Sequence, residues 1–369
     1  MAAEASVTMS TDLMENLVPH CLRSVRGPAR AALGSVLAVL AVLGLTVLAG
    51  CGGAAEEGQA AGGDGSGGEL ALVAYSTPKE AYGELIPAFA KTPEGQGVKF
   101  TQSYGSSGDQ SRAIESGLPA DVIALSLAPD VDRLVEPGIV AADWADDEFD
   151  GFVTNSVVVF AVRKGNPKNI RTWDDLTKEG VEVITPNPFT SGGAKWNLMA
   201  AYGAQLEQGK LPQEALDYLK RLLQNTPVQD KSAREALATF SQGKGDVLLA
   251  YENEAITAQN AEVELDYVLP DETILIQNPV AVGQESKAPE KAAAFVSWLR
   301  EPEAQKIFAA KGYRTVREEF TDEKTYPQPK SLFKIDKFGG WEKVNDEFFD
   351  PDLGSVAKIE QDLGVSTAK

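Results

Sequence analysis

Thr185-Pro-Asn-Pro-Phe-Thr-Ser-Gly-Gly-Ala-Lys-Trp-Asn197 is the stretch around which the rest of the chain is organised. Val181, Val183 and Ile184 just before it read as a short buried strand. Pro186 and Pro188 then exclude regular structure. Ser191 follows as a candidate N-cap, Gly192 and Gly193 leave the backbone bare, and Trp196, Met199 and Ala200 fall at helical spacing. A strand, a tight loop and a helix start in this order aim free N–H groups and the positive end of a helix at one point, which suits an anion. Two glycines at a helix start cost stability unless something must approach the backbone closely. The plain alternative is an ordinary capped helix.

Two more helix starts have the same character. Ser107-Gly-Asp-Gln110 and Ser232-Ala-Arg-Glu235 both spell capping boxes after a loop. Each alone would cap a helix in any fold. Around them strands and helices alternate. Leu70 to Tyr75 reads as a strand, and Thr77-Pro-Lys-Glu80 as a capping box with proline at the first helical position. Residues 98–103 and 121–125 are further strands, with helices from Ser107 to Ile114 and from Val131 to Val135. Ser156 to Val162 is an almost wholly apolar strand, and Thr172-Trp-Asp-Asp175 caps a short helix. Helices are predicted near 192–208, 212–224 and 232–240, then a strand from Asp246 to Ala250. Late strands at 273–279 and 280–282 precede helices near 289–300 and 303–311. The pattern is that of an α/β protein with a largely parallel sheet in two units, the second inserted in the first. In such sheets ligands gather beyond the carboxyl ends of the strands. Three helix starts facing one cleft would surround a small dianion with donors. Phe338, Trp341, Phe348 and Phe349 could dock the polar tail on the folded body.

The chain has 369 residues and a formal charge of −20, with one histidine and two cysteines. Removing the first fifty residues leaves the charge unchanged, because three arginines there balance three acids. No basic footprint exists for nucleic acid. Arg23, Arg26 and Arg30 precede an apolar run from Ala31 to Gly50 that ends Leu48-Ala-Gly-Cys51. This is the layout of a signal peptide behind an N-terminal extension (1–50). The alternative is an uncleaved anchor, since the run is near spanning length. Residues 51–68 form a Gly/Ala/Glu-rich tether reaching roughly 20–25 Å. His20 and Cys21 fall in the segment expected to be removed. The remainder then has no histidine for Ser-His-Asp or Cys-His chemistry and lacks the usual zinc ligands. No enzyme activity, cofactor or metal is expected.

The Thr185–Asn197 stretch closely resembles the signature of the bacterial periplasmic sulfate-binding proteins of ATP-binding-cassette (ABC) importers. So do Val162-Arg-Lys-Gly-Asn-Pro167 and Gly245-Asp-Val-Leu-Leu-Ala-Tyr-Glu-Asn-Glu-Ala255. The likeness runs from about residue 70 to Phe338-Gly-Gly-Trp341. It implies a two-lobed, type II Venus-flytrap fold, with lobe I at 69–153 plus 272–369 and lobe II at 154–271. It also implies sulfate held between the lobes and passed to the transmembrane subunits of an ABC permease. Leu48-Ala-Gly-Cys51 resembles a lipobox, which implies that Cys51 is lipidated and the chain anchored to the outer face of the cell membrane. A monomer is a family-level expectation.

By position, the resemblance puts ligand contacts at Ser107 (hydroxyl and N–H), Ser191 (hydroxyl), and the N–H groups of Gly192, Gly193 and Ala233. A tryptophan of the family looks replaced by Tyr251, which can accept as well as donate. Ser76 stands where many relatives have aspartate, a position that gives its N–H. Around these, Gly108 belongs to the second helix start, Asp109 is a possible acceptor for a protonated ligand, and Arg234 lends positive potential or balances the acidic surface. Thiosulfate, molybdate, tungstate and phosphate are the alternative anions. A sulfate- or phosphate-ester hydrolase is the least favoured reading.

Overall fold

The structure, a computed structural model, describes residues 68–321 and 324–367. The leader, Cys51 and nearly all of the tether lie outside the described residues. In chain order the elements are β1 (Glu69–Tyr75), α1 (Lys79–Phe89), β2 (Lys99–Gly105), α2 (Ser107–Glu115), β3 (Val122–Ala124), α3 (Ala128–Asp132), β4 (Phe152–Arg163) and β5 (Val183–Ile184). Then come α4 (Gly192–Glu207), α5 (Pro212–Gln224), α6 (Ala233–Ser241), β6 (Val247–Tyr251), α7 (Glu252–Asn260), β7 (Leu265–Val268) and β8 (Glu272–Val282). The last are α8 (Pro289–Trp298), α9 (Pro302–Ala310), β9 (Arg314–Thr315), β10 (Ser331–Phe333), α10 (Gly340–Val344) and α11 (Ser355–Asp362).

The strands follow one path, β2-β1-β3-β8-β4-β6-β5. Parallel pairs lie towards its two ends: β1 with β2 and β3, and β5 with β6. The middle is antiparallel, which corrects the expectation of a largely parallel sheet. The cause is topological. The chain leaves the first strand group along β4 and returns along β8, so these two run in opposite directions, with Ser156 opposite Ile276. Beyond that crossing β4 pairs with β6 and β7, while β8 goes on to pair with β3. The two expected late strands are one continuous strand. Pro279 has no N–H to give, and the partner of β8 changes there from β4 to β3. Val157 to Ala161 are fully buried, as their unbroken apolar run requires.

Each strand group has its own core. On β1–β3, Tyr82 and Phe89 of α1 meet Phe295 of α8 and Phe308 of α9. On one face of β4 and β6 lie Trp173, Trp196, Tyr218 and Leu222; on the other lie Ile184, Phe240 and Leu248. This is the expected two-lobed α/β architecture, with β4 and β8 as the crossing strands. A buried ion pair joins the start of α7 to β9: Arg314 donates to both carboxylate oxygens of Glu252, at 2.7 and 3.1 Å.

The tail docks through the four expected aromatics. Trp341 meets Trp196 edge-on at 4.6 Å, and Tyr202 packs against Phe338 and Phe348 at 5.8 and 4.9 Å. A Cβ on Gly203 would stand 2.3 Å from the Phe333 ring, so α4 is bare where the tail crosses it. Residues 331–363 therefore pack on the β4/β6 side, through α4 and α5, rather than on β1–β3.

Two expected capping boxes do not form. Thr77 Oγ1 donates to Glu254 and Glu80 takes Arg234, so α1 starts behind Pro78 without a side-chain cap. Ser107 is the first residue inside α2, and its hydroxyl has tertiary partners instead. Thr172 with Asp175 does form its box, on a 3-10 turn. Ser232 Oγ caps α6 by accepting from Glu235 N at 3.2 Å, while the Glu235 carboxylate takes Lys231 N rather than closing the box on Ser232.

Candidate functional site

The starts of α2, α4 and α6 meet around one small cavity at the carboxyl ends of β1, β3 and β6. Its wall holds Ser76, Ser107, Ser191, Gly193, Ala233 and Tyr251. Tyr75, Thr77, Ser106 and Ser126 complete it. Six of the expected contact residues are thus brought together from positions as far apart as 76 and 251.

Each donor follows from local structure. Gly192 and Gly193 are the first two residues of α4, and Ala233 is the first of α6. First-turn N–H groups have no acceptor within their own helix. Ser191 has extended backbone and stands at the N-cap position, yet its side chain makes no cap bond. Its hydroxyl lines the cavity at 4% exposure. Ser232 holds the equivalent place before α6, and there the hydroxyl does cap. The sequence makes these two serines look alike; the structure separates them.

The two glycines of α4 have different reasons. A Cβ on Gly192 would lie 2.6 Å from Leu127 Cδ2 and 3.0 Å from Ser126 Oγ. That residue is glycine so that α4 can press against the loop after β3. A Cβ on Gly193 would meet only ordinary neighbours: Ser191 Oγ at 3.4 Å, Tyr251 Cε1 at 3.7 Å and Ala233 Cβ at 3.8 Å. All three line the cavity, so the added methyl would fill it.

Ser126 ties the site together and was not singled out in the sequence. Its N–H donates to Ser107 Oγ at 2.9 Å, and its hydroxyl shares a 2.7 Å hydrogen bond with the Tyr251 hydroxyl. Its carbonyl accepts from Trp196 Nε1 at 3.0 Å and from Asn278 Nδ2 at 2.9 Å. The rule that places ligands beyond strand carboxyl ends applies to Ser126, just past β3, as well as to Ser76 and Tyr251. Burial pushes the Tyr251 hydroxyl well above its ordinary pKa, so it stays protonated and can donate.

Gly108 and Gly192 face a neighbouring hollow rather than the cavity, and Gly108 N–H is already given to Thr190 O at 3.2 Å. Asp109 is turned away from the cavity. Its carboxylate takes Ser106 Oγ at 2.6 Å and Arg112 at 2.5 Å, and half of its side chain is exposed. The carboxylate that reaches Ser107 is Asp130, at 2.6 Å and 6% exposure. Arg234 lies on the rim, where it grips both carboxylate oxygens of Glu80 and reaches Ser76 O at 3.3 Å. Burial works against the Glu80 charge, but the Arg234 guanidinium overcomes it and holds the carboxyl below its ordinary value. Glu254, buried under Thr77, is pushed up to about 7 by desolvation.

A larger cavity of about 810 Å³ lies at the opposite, amino ends of β1 and β3. Glu69, Glu115, Asp121 and Glu285 surround it against one lysine, Lys287, which is the wrong sign for an anion. Among the described residues no cluster of histidine, cysteine or acidic groups could hold a metal ion, and no helix is long and apolar enough to cross a membrane.

Residues 70–314 match the family model of bacterial extracellular solute-binding proteins. The chain is similar to a sulfate-binding protein of Synechococcus elongatus, 40% identical over 88% of this chain and 95% of that one. It is also similar to a thiosulfate-binding protein of Escherichia coli, 36% identical over 75% of this chain and 86% of the other. Among solved structures it resembles the sulfate-binding protein SubI of Mycobacterium tuberculosis, with a TM-score of 0.75 and 42% identity over 76% of this chain and 99% of that one.

Proposed function

This chain belongs to the bacterial extracellular solute-binding proteins, and on that premise we propose that it captures sulfate in the cavity between α2, α4 and α6. It then hands the anion to the transmembrane subunits of an ABC importer. The observation that carries this reading is the set of donors converging without a counter-charge: Ser191 Oγ, free of its capping duty, beside the first N–H groups of α4 and α6. Sulfate offers only acceptors, so a wall of donors suits it. Hydrogen phosphate brings a proton, and leaving that proton unpaired costs about 1–3 kcal/mol. A micromolar dissociation constant needs only about −8 kcal/mol net. Ser76, Ser107, Gly193, Ala233 and Tyr251 supply the rest of the wall; Gly192, at the neighbouring hollow, is not part of it.

We take the lobes to divide at the crossing strands, at 153/154 and 271/272. Residues 331–363 are assigned to the lobe of β4 and β6, because their aromatic and hydrogen-bond partners lie there. The protein acts outside the cytoplasm, lipidated at Cys51, as a monomer on the outer face of the membrane. Thiosulfate remains the second reading, favoured by the 36% identical relative. Calorimetric titration of the chain from Glu69 with sulfate, thiosulfate, molybdate and phosphate tests the assignment. Sulfate should bind at micromolar or tighter concentrations; saturation by molybdate or phosphate with no response to sulfate would overturn it.

A further inference from the structure

Two hydroxyls in the cavity wall are bonded to each other. Ser126 Oγ and Tyr251 Oη lie 2.7 Å apart, and the two residues are buried at 1% and 2% exposure. Ser126 follows β3 and Tyr251 ends β6, so the bond joins the two strand groups across the cleft. The pair carries two hydroxyl protons, and the bond between them uses one. The other is left for the cavity, since neither hydroxyl has a carboxylate partner among the described residues. Thr77 and Ser106 in the same wall differ, because they give their protons to Glu254 and Asp109. The Ser126 backbone is held independently of its side chain. Its N–H goes to Ser107 Oγ at 2.9 Å, and its carbonyl takes Trp196 Nε1 at 3.0 Å and Asn278 Nδ2 at 2.9 Å.

Resting on the reading of the cavity as an oxyanion site, we infer that Ser126 is a positioning residue for the ligand: by giving its proton to Tyr251 Oη it turns the phenol proton towards the anion. A phenol is a stronger acid than an alkyl alcohol, so it makes the stronger bond to a negative oxygen. With an anion present, the favoured order is therefore Ser126 donating to Tyr251 and Tyr251 donating to the ligand. Each bond in such a chain polarises and strengthens the next. The phenol proton otherwise rotates about its C–O bond, and Ser126 is what fixes its direction. An indole N–H has one fixed direction and accepts nothing, so a tryptophan at 251 would have no use for a serine at 126. Tyrosine at 251 thus depends on a residue 125 positions away in sequence, and the two act as one donor.

The test is a double-variant cycle in sulfate affinity, measured by calorimetry on the purified full-length protein. Ser126→Ala removes the hydroxyl and leaves the three backbone bonds in place. It should weaken sulfate by about fivefold or more, and Tyr251→Phe by about tenfold or more. The double variant should lie within about twofold of Tyr251→Phe, because Ser126 acts through the phenol oxygen. Tyr251→Trp separates this role from a general effect on the shape of the site. With an indole N–H as the donor, adding Ser126→Ala should change affinity by less than about twofold. A smaller loss in Ser126→Ala would overturn the inference. A further loss in the double variant with phenylalanine, or a dependence on Ser126 that persists with tryptophan, would do the same. Should Tyr251→Trp not fold, the phenylalanine cycle decides alone by the same criterion. If the parent protein does not bind sulfate, the sulfate reading itself falls, an outcome visible before any variant is made.

Discussion

Gly193 and Tyr251 face each other across the cavity, and a Cβ on the glycine would stand 3.7 Å from Tyr251 Cε1. The space between them is thus one methyl group wide on that side. Gly193→Ala meets no atom closer than 3.4 Å, so the variant should fold with a melting temperature close to that of the parent. It should lose anion binding at least a hundredfold, because the methyl occupies the cavity. Gly192→Ala should behave in the opposite way. Its Cβ collides with Leu127, and overpacking of this kind costs about 1–3 kcal/mol of stability. Thermal unfolding and sulfate titration of both variants would check the contrast.

Ser191 and Ser232 offer a second exchange of readouts. Ser191 makes no cap bond, so Ser191→Ala should leave stability nearly unchanged and cost about 1.5–3 kcal/mol of anion binding. Ser232 Oγ accepts from Glu235 N, so Ser232→Ala should cost about 1 kcal/mol of stability. Equal effects of both on unfolding would refute the distinction.

The Glu80–Arg234 pair joins the start of α1 to the start of α6, one on each side of the cleft, with both side chains more than a third exposed. Exposed pairs contribute about 0.2–1 kcal/mol and are screened by salt. Glu80→Gln should weaken sulfate binding roughly two- to fivefold at low ionic strength. At 0.5 M sodium chloride the difference from the parent should shrink towards nothing; a penalty independent of salt would mean the pair acts in some other way.

Two buried carboxyls give stability a defined pH dependence. Burial pushes both Glu254 and Glu360 up to about 7, against a hydrogen bond from Gln229 to the Glu360 carboxylate. A raised carboxyl binds its proton more tightly in the folded state. Its contribution is complete below the ordinary carboxylate range and is lost as pH rises through about 7. Stability should therefore fall between about pH 4.5 and 7, with a slope approaching 1.4 kcal/mol per unit for each proton. Asp175 is held at about 2 by Lys178 and nearby N–H groups against the burial that opposes its charge, so its loss comes only in stronger acid. Urea unfolding of the parent and of Glu360→Gln at pH 5 and 7.5 checks this. The variant should lose about half of the decline.

Much of this architecture is readable from residue order alone. The Ser191-Gly-Gly helix start stands out because two prolines and two glycines leave the local backbone few alternatives. The fully apolar run in β4 announces a strand covered on both faces. What the sequence hides is tertiary competition. Thr77 and Glu80 spell a capping box, but Glu254 and Arg234 take both side chains from the far side of the cleft. Asp109 looks like the acid nearest Ser107 because it is two residues away. Asp130 is the actual partner, 23 residues on, delivered by the fold rather than by the helix. The tail aromatics announce packing, yet nothing in their spacing says which strand group they choose.

The path of the tail has a mechanical consequence. From Ala292 to Tyr313 the chain packs with β1–β3, whereas Phe333 and the aromatics beyond it pack with α4. The polypeptide thus passes between the halves three times: along β4, along β8, and once more between β9 and β10, whose pairings lie on β4 and β8 themselves. Three straps laid side by side resist torsion far better than two, because twisting must stretch the outer ones while bending need not. The third passage therefore adds one more covalent link between the two strand groups, beside the crossing strands β4 and β8.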